Sequence, residues 1–267
     1  WVENKLNHLP ILDKNKKPIG LIVSESLYKY DLKNNLFIIL AGGRGKRLQP
    51  RTNHLPKPLL KVSGKSILQR TIERGKFFGF NNFYISTNYL SNLIKDEIGN
   101  GKKFNVKIKY LKESFEMGTA GSLSLIKNLS NHPIIVVNGD IITNINYHNL
   151  LEFHQKFKSD FTIAVFDKKF QNPYGVIEMK KNILKKITEK PITTSTIIAG
   201  IYIINTNIIN KYIKKSFLNM TDLVESLLNK KNIKLMTYKV NEEWMDIGTE
   251  NDFLYANTLQ SYQNSDV

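Results

Sequence analysis

The 267-residue chain contains no cysteine, only two tryptophans and only five arginines. Without cysteine there is no disulfide and no thiolate-bound zinc. Apolar runs such as Leu36–Ala41 and Ile134–Val137 fall far short of the roughly 20 residues that cross a bilayer. The opening residues are polar and interrupted by Pro10, which is not the pattern of a secretory signal. These absences lead us to expect a cytoplasmic protein with no membrane attachment. The shortage of arginine matters because the net charge is +16. Nucleic-acid sites favour the planar guanidinium, which matches phosphates and guanine. Here nearly all of the 39 basic residues are lysines scattered along the chain, Lys102, Lys127, Lys185 and Lys230 among them. We therefore expect an anionic small substrate and no nucleic-acid partner.

What is present is an alternation of short apolar runs with amphipathic stretches. Phe37–Leu40, Phe83–Ser86, Val106–Tyr110 and Ile134–Val137 read as strands, with helical patterns over Ser66–Phe78 and Leu90–Ile98. This order predicts parallel βαβ units in a doubly wound α/β sheet, with ligands beyond the carboxyl ends of the strands. Later runs (Phe161–Phe166, Val176–Met179, Ile183–Ile187, Ile197–Ile204, Ile233–Val240) lie close enough together for antiparallel pairing, so the sheet is expected to be mixed. Met220–Leu228 and Thr249–Leu259 read as helices, the first capped by Thr221 or Asp222 and the second by Thr249.

Residues 1–34 differ from residues 35–267, which form the main domain. His8–Leu12 and Pro18–Val23 are two short strands around a polar turn, followed by a helix-like Glu25–Tyr30. The run LPILDKNKKPIGLIVSESL resembles the closing β-β-α of a cystathionine-β-synthase-type (CBS) regulatory module. It covers about half of one CBS unit, so the nucleotide cleft of a CBS pair cannot form from it. The simpler expectation is that these elements pack on the main domain.

The richest segment is LAGGRGKRLQPRTNHLPKPLL, Leu40–Leu60. A strand ends at Leu40–Ala41, and Gly42, Gly43 and Gly45 let backbone N–H groups approach phosphate oxygens. Arg47 adds a fork of charged donors, and Lys57 is fixed between two prolines. Ser63-Gly64-Lys65-Ser66 only imitates a P-loop, since that motif's first glycine would fall at Leu59. Further along, Val137-Asn138-Gly139-Asp140 delivers a carboxylate to a strand end, and Trp244-Met245-Asp246-Ile247-Gly248-Thr249 holds another. The five histidines show no ligand-like clustering, so zinc is not indicated.

The ordered set Gly-Gly-x-Gly-x-Arg-Leu-x-Pro-x-Thr followed by Pro-Lys-Pro-Leu resembles the sugar-1-phosphate nucleotidylyltransferase family, from Leu36 to about Leu259. The resemblance implies the nucleotide-diphospho-sugar transferase fold, which is Rossmann-like. It implies that a nucleoside triphosphate and a sugar 1-phosphate form a nucleotide sugar and pyrophosphate. Leu40, Ala41, Gly42, Gly43, Gly45 and Arg47 then serve the nucleotide, with Lys57 and Lys190 at the sugar-phosphate end. Asp140 and Asp246 hold Mg²⁺. Gly139, Tyr174, Gly175, Glu189, Lys190 and Gly200 serve the sugar phosphate. Gly118-Thr119-Ala120-Gly121, at the start of a helix running toward Ile126, lies beside the base. This last segment resembles guanylyl-type members, so GTP is expected. A CBS element ahead of such a domain resembles enzymes that make GDP-glucosamine for legionaminic acid synthesis, which points to glucosamine 1-phosphate, with mannose or heptose 1-phosphate as alternatives. A glucose-1-phosphate thymidylyltransferase, a non-catalytic nucleotide-sensing subunit and a homo-oligomeric state are left open.

Overall fold

A computed structural model describes residues 8–23 and 30–264, with side chains described for residues 10–20 and 30–258. Strands β1 (His8–Leu12) and β2 (Pro18–Val23) pair antiparallel as an isolated hairpin. Ile11, Leu12 and Ile19 are exposed on it, and neither strand joins another sheet. The helix expected over Glu25–Tyr30 lies outside the described residues except for Tyr30, whose ring sits against Phe77, Phe78 and His148.

The next strands are β3 (Lys33–Leu40), β4 (Lys61–Val62), β5 (Lys65–Ser66), β6 (Phe80–Thr87), β7 (Lys107–Lys112), β8 (Ile134–Asn138) and β9 (Ile141–Thr143). They are followed by β10 (Phe161–Gln171), β11 (Val176–Lys180), β12 (Ile183–Thr188), β13 (Ile192–Ile204), β14 (Leu235–Lys239) and β15 (Trp244–Asp246). The helices are α1 (Ile67–Phe77), α2 (Ser91–Ile98), α3 (Gly118–Gly121), α4 (Tyr147–Lys156), α5 (Thr206–Tyr212), α6 (Met220–Leu228) and α7 (Glu250–Asn264).

Seven strands form the central sheet in the order β14-β10-β13-β8-β3-β6-β7, and only β13 runs against the rest. The sheet is therefore mixed and mostly parallel, as the sequence predicts. The chain moves outward from β3 through β6 to β7, then returns to β8 on the other side of β3. That reversal opens a crevice beyond the carboxyl ends of β3 and β8.

Apolar alternation explains the layers. Phe37, Ile39, Ile135, Val137, Ile201 and Ile203 face one core with α1, α2 and α4. Their neighbours Ile38, Ile134, Val136, Tyr202 and Ile204 face the other core, with α5 and α6. A strand buried on both faces reads as one continuous apolar run, which is why period-2 alternation is invisible in IIVV. A third, smaller cluster joins Leu48, Leu60, Val62 and Ile67 to Ile247, Phe253 and Ala256 of the last segment.

Three local expectations are corrected. The helix from Gly118 is one turn long and passes into a 3₁₀ turn over Ser122–Leu125. The Ser124 hydroxyl donates to Gly121 O there, tightening the turn. The cap of α6 is Asn219, and Asp222 serves instead as the acceptor for its N–H at 3.4 Å. Strands β10 and β13 also run past the core into an exposed arm that carries β11 and β12, so they are longer than the apolar runs alone suggest.

Ile38 is fully buried on the second face. Replacing it by Ala is expected to lower stability by about 3 kcal/mol and the Tm by roughly 6–12 °C. Thermal unfolding followed by circular dichroism checks this, and a shift under about 2 °C would contradict the packing described.

Candidate functional site

The crevice holds a cavity of about 460 Å³. Its floor is the end of β3 and the glycine loop: Leu40, Ala41, Gly42 and Gly43, with Arg44 beyond. Ala41 N donates to Ser86 O at 2.9 Å, which fixes the loop to the end of β6. A Cβ on Gly42 would lie 2.7 Å from the Glu113 carboxylate, so a larger residue there would displace that side chain. Gly45 has φ +63°, and the Thr52 hydroxyl donates to its carbonyl at 2.9 Å, closing the loop on itself.

Lys57 is buried, and Pro56 and Pro58 flank it in a 3₁₀ turn. Its Nζ lies 2.5 Å from Asp140 Oδ2 and 3.9 Å from Asp246 Oδ1. The two aspartates meet because β9 and β15 pair antiparallel with Asp246 opposite Ile141, directly after Asp140. Ile247 N donates to Asp140 O at 2.9 Å, locking the register one step further. Gly139 N donates to Leu40 O at 2.8 Å, and a Cβ on Gly139 would press on that same oxygen. Burial first, and the Asp140 charge second, raise the Asp246 pKa, against the lowering effect of Lys57 and Arg47. Arg47 therefore belongs to this charge cluster, on the side of Asp246 and not in the cavity wall.

Asp246 Oδ1 is buried and has no hydrogen-bond partner. Two carboxylates, one with an unpartnered oxygen, form the hard donor set that Mg²⁺ takes when substrate phosphates and waters supply its remaining ligands. Among the described residues, no three His, Asp or Glu side chains group closely enough to hold a metal ion. The residues present thus fit an ion shared with a phosphate and do not fit a closed structural site.

At the other end, Gly118 and Thr119 line the cavity, whereas Ala120 and Gly121 are buried behind them. Sequence reasoning missed most of this wall. Ser86, Glu113 and Asn138 stand at or just past the ends of β6, β7 and β8, so the strand-end rule alone could have found them. The Ser86 hydroxyl donates to Glu113 Oε1, and Met117 N donates to Glu113 Oε2 at 3.3 Å. Phe115, Phe217 and Asn219 come from irregular segments whose sequence carries no such signal.

Of the sugar-side candidates, Gly139 lines the cavity and the others lie elsewhere. Tyr174, Gly175, Glu189 and Lys190 are exposed at the base of the β11–β12 hairpin and do not line the cavity. Gly175 and Glu189 are neighbours, since a Cβ on Gly175 would lie 3.0 Å from Glu189 Oε2. Gly200 sits beneath Asn138 with φ +69°, and a Cβ there would reach 2.7 Å from Asn138 Nδ2. Among the described residues, no helix is long and apolar enough to cross a membrane.

Four similar proteins bear on this site. The chain is 32% identical over 238 residues to the mannose-1-phosphate guanylyltransferase catalytic subunit beta of Dictyostelium discoideum, covering 85% of this chain and 66% of that protein. It thus spans just under two thirds of that relative's length, and 63% of a mannose-1-phosphate guanyltransferase from Aspergillus oryzae. HddC from Yersinia pseudotuberculosis, solved with GMP-PN, is 25% identical, with a TM-score of 0.66 over 85% of this chain and 99% of that one. A UDP-glucose pyrophosphorylase shares the fold, with a TM-score of 0.64 at 17% identity over 86% of this chain and 99% of that one. The profile of the nucleotidyl transferase family matches residues 36–262, and the chain belongs to that family.

Proposed function

We propose that this chain transfers a guanylyl group from GTP to a sugar 1-phosphate, releasing pyrophosphate. The observation that carries the reading is the meeting of Asp140 and Asp246 around Lys57 beside the glycine loop. A phosphate oxygen of the sugar 1-phosphate attacks the α-phosphorus. The bond from that phosphorus to the β-phosphate oxygen breaks, and the electron pair leaves with pyrophosphate. A phosphate monoester is already a nucleophile, so positioning and charge neutralisation suffice. Mg²⁺, when held by Asp140 and Asp246, supplies charge screening for the phosphates. The amides of Gly42 and Gly43 and the Arg47 guanidinium orient the β- and γ-phosphates. Lys57 and Lys190 are assigned to the sugar-phosphate end, and Glu189 to the sugar.

Guanine is supported at the base end. A carboxylate oxygen accepts hydrogen bonds, and Glu113, which already accepts from Ser86 and Met117, lines the same cavity as Gly118. Guanine offers N1–H and N2–H side by side, whereas adenine offers an acceptor at N1. The relatives that use guanine nucleotides point the same way. For the acceptor sugar, the CBS-like element ahead of the domain supports glucosamine 1-phosphate. Mannose 1-phosphate is the second reading, favoured by the names of the similar proteins.

Three outcomes are expected. Asp140→Asn and Asp246→Asn each remove one carboxylate charge at constant size, and each should lower Mg²⁺-dependent pyrophosphate release by a factor on the order of 10². Near-normal turnover in either variant would remove that residue from the site. Arg47→Lys keeps the charge but loses the two-pronged contact with phosphate, so kcat/KM for GTP should fall about tenfold or more. An unchanged value would place Arg47 outside the phosphate path. In competition among four nucleoside triphosphates and the 1-phosphates of glucosamine, mannose, heptose and glucose, product mass should show a GDP-sugar, with GDP-glucosamine dominant. Dominant GDP-mannose would move the assignment to the second reading, and a dominant UDP- or dTDP-sugar would defeat the guanine assignment.

A further inference from the structure

Two aromatic rings line the cavity yet take no part in either core: Phe115 is 43% exposed and Phe217 is 56% exposed. They come from segments remote in sequence, and the backbone holds each in place. Phe115 sits in the segment between β7 and α3, which is pinned at both ends. Glu113 N donates to Thr87 O at 3.0 Å, and the Glu113 carboxylate accepts from Met117 N. Phe217 lies in the segment before α6, which is bound tightly to α3. Leu218 N donates to Met117 O at 3.0 Å, and Leu218 O accepts from Ala120 N and Gly121 N at 2.9 and 3.1 Å. Met220 N donates to the Thr119 hydroxyl at 2.7 Å. A Cβ at Gly118 or Gly121 would strike the backbone of Leu218 or Ser216, so the glycines of α3 permit this close seat.

Rings carried on backbone held in this way, and left in contact with the cavity, can form stacking platforms for a flat heterocycle. We infer that Phe115 and Phe217 stack on the nucleobase and favour the larger purine face. This rests on the nucleotidyl-transfer reading, and it names residues that set base affinity in that same site. Both are positioning residues that touch the base and not the reacting phosphates.

The test is steady-state kinetics of the whole chain, with ribose 5-triphosphate as a competitor that has the sugar and phosphates but no base. Phe115→Ala and Phe217→Ala are each expected to raise the KM for GTP about tenfold, with kcat held within about twofold because ground-state and transition-state binding weaken together. The inhibition constant of ribose 5-triphosphate should stay unchanged, and Phe→Tyr at either position should restore the KM. Unchanged KM values in both Ala variants, beside a parent that turns over GTP, overturn the stacking assignment alone. An equal rise in KM and in the ribose 5-triphosphate constant also overturns it, because it marks a collapsed segment. A parent that neither binds nor turns over any nucleoside triphosphate overturns the nucleotidyl-transfer reading and this inference with it.

Discussion

Two carboxylates forced together inside a protein repel, and the Lys57 ammonium is what makes the pair of Asp140 and Asp246 tolerable in this fold. It sits 2.5 Å from one and 3.9 Å from the other, on a turn stiffened by two prolines. Lys57 is the buried member, with 10% of its side chain exposed, whereas Asp140 keeps 29% and Asp246 40% in contact with solvent. The glycine loop, the end of β8 and the β9–β15 ribbon all converge on this one cation. The residual imbalance appears at Asp246, where burial and the neighbouring carboxylate raise the pKa despite Lys57 and Arg47. A site with such tension is suited to receive a further cation together with a phosphate, which would relieve the repulsion and give the unpartnered Asp246 oxygen a ligand to hold.

Much of the architecture is legible in the sequence because the parallel strands are short, apolar and separated by amphipathic helices. Phe37–Leu40 and Ile134–Val137 announce β3 and β8, and the strand-end rule then points toward Gly42 and Asp140, the role of Asp140 coming from the family resemblance. Other elements are silent for physical reasons. β9 and β15 are three residues each, too short for any periodicity, and exist because they pair with one another across the fold. Helix α4, with Tyr147 and Leu150 buried but the polar His148 and Asn149 between them, has only ten residues in which to show a pattern. Asp246 was reached only through a family resemblance, since nothing local marks it. Phe217 and Glu113 escaped notice because their placement depends on tertiary contacts with α3 and β6.

The arm built from β11, β12 and the outer parts of β10 and β13 contrasts with this tight centre. Ile177, Met179, Leu184 and Ile187 all face solvent along β11 and β12, while Glu178 and Lys186 pair at 3.7 Å. Two-stranded ribbons draw little stability from their own packing. The residues assigned to the sugar, Tyr174, Gly175, Glu189 and Lys190, lie where β10 and β13 pass into this ribbon. The nucleotide end of the site thus stands on the buried central sheet, and the residues assigned to the sugar stand on an exposed arm.

The pairing of β9 with β15 also constrains the order in which the molecule comes into being. Asp140 and Asp246 lie roughly a hundred positions apart in the chain, and their meeting closes a long loop that must be ordered before the contact rewards it. During synthesis from the amino end, the glycine loop and Asp140 emerge well before Trp244, so a chain that stops short of β15 has its phosphate cradle but only half of its acidic pair. The segment Leu48 to Val62 likewise waits for Ile247 and Phe253 to cover it. The two aspartates are thereby brought together only once β15 has joined β9.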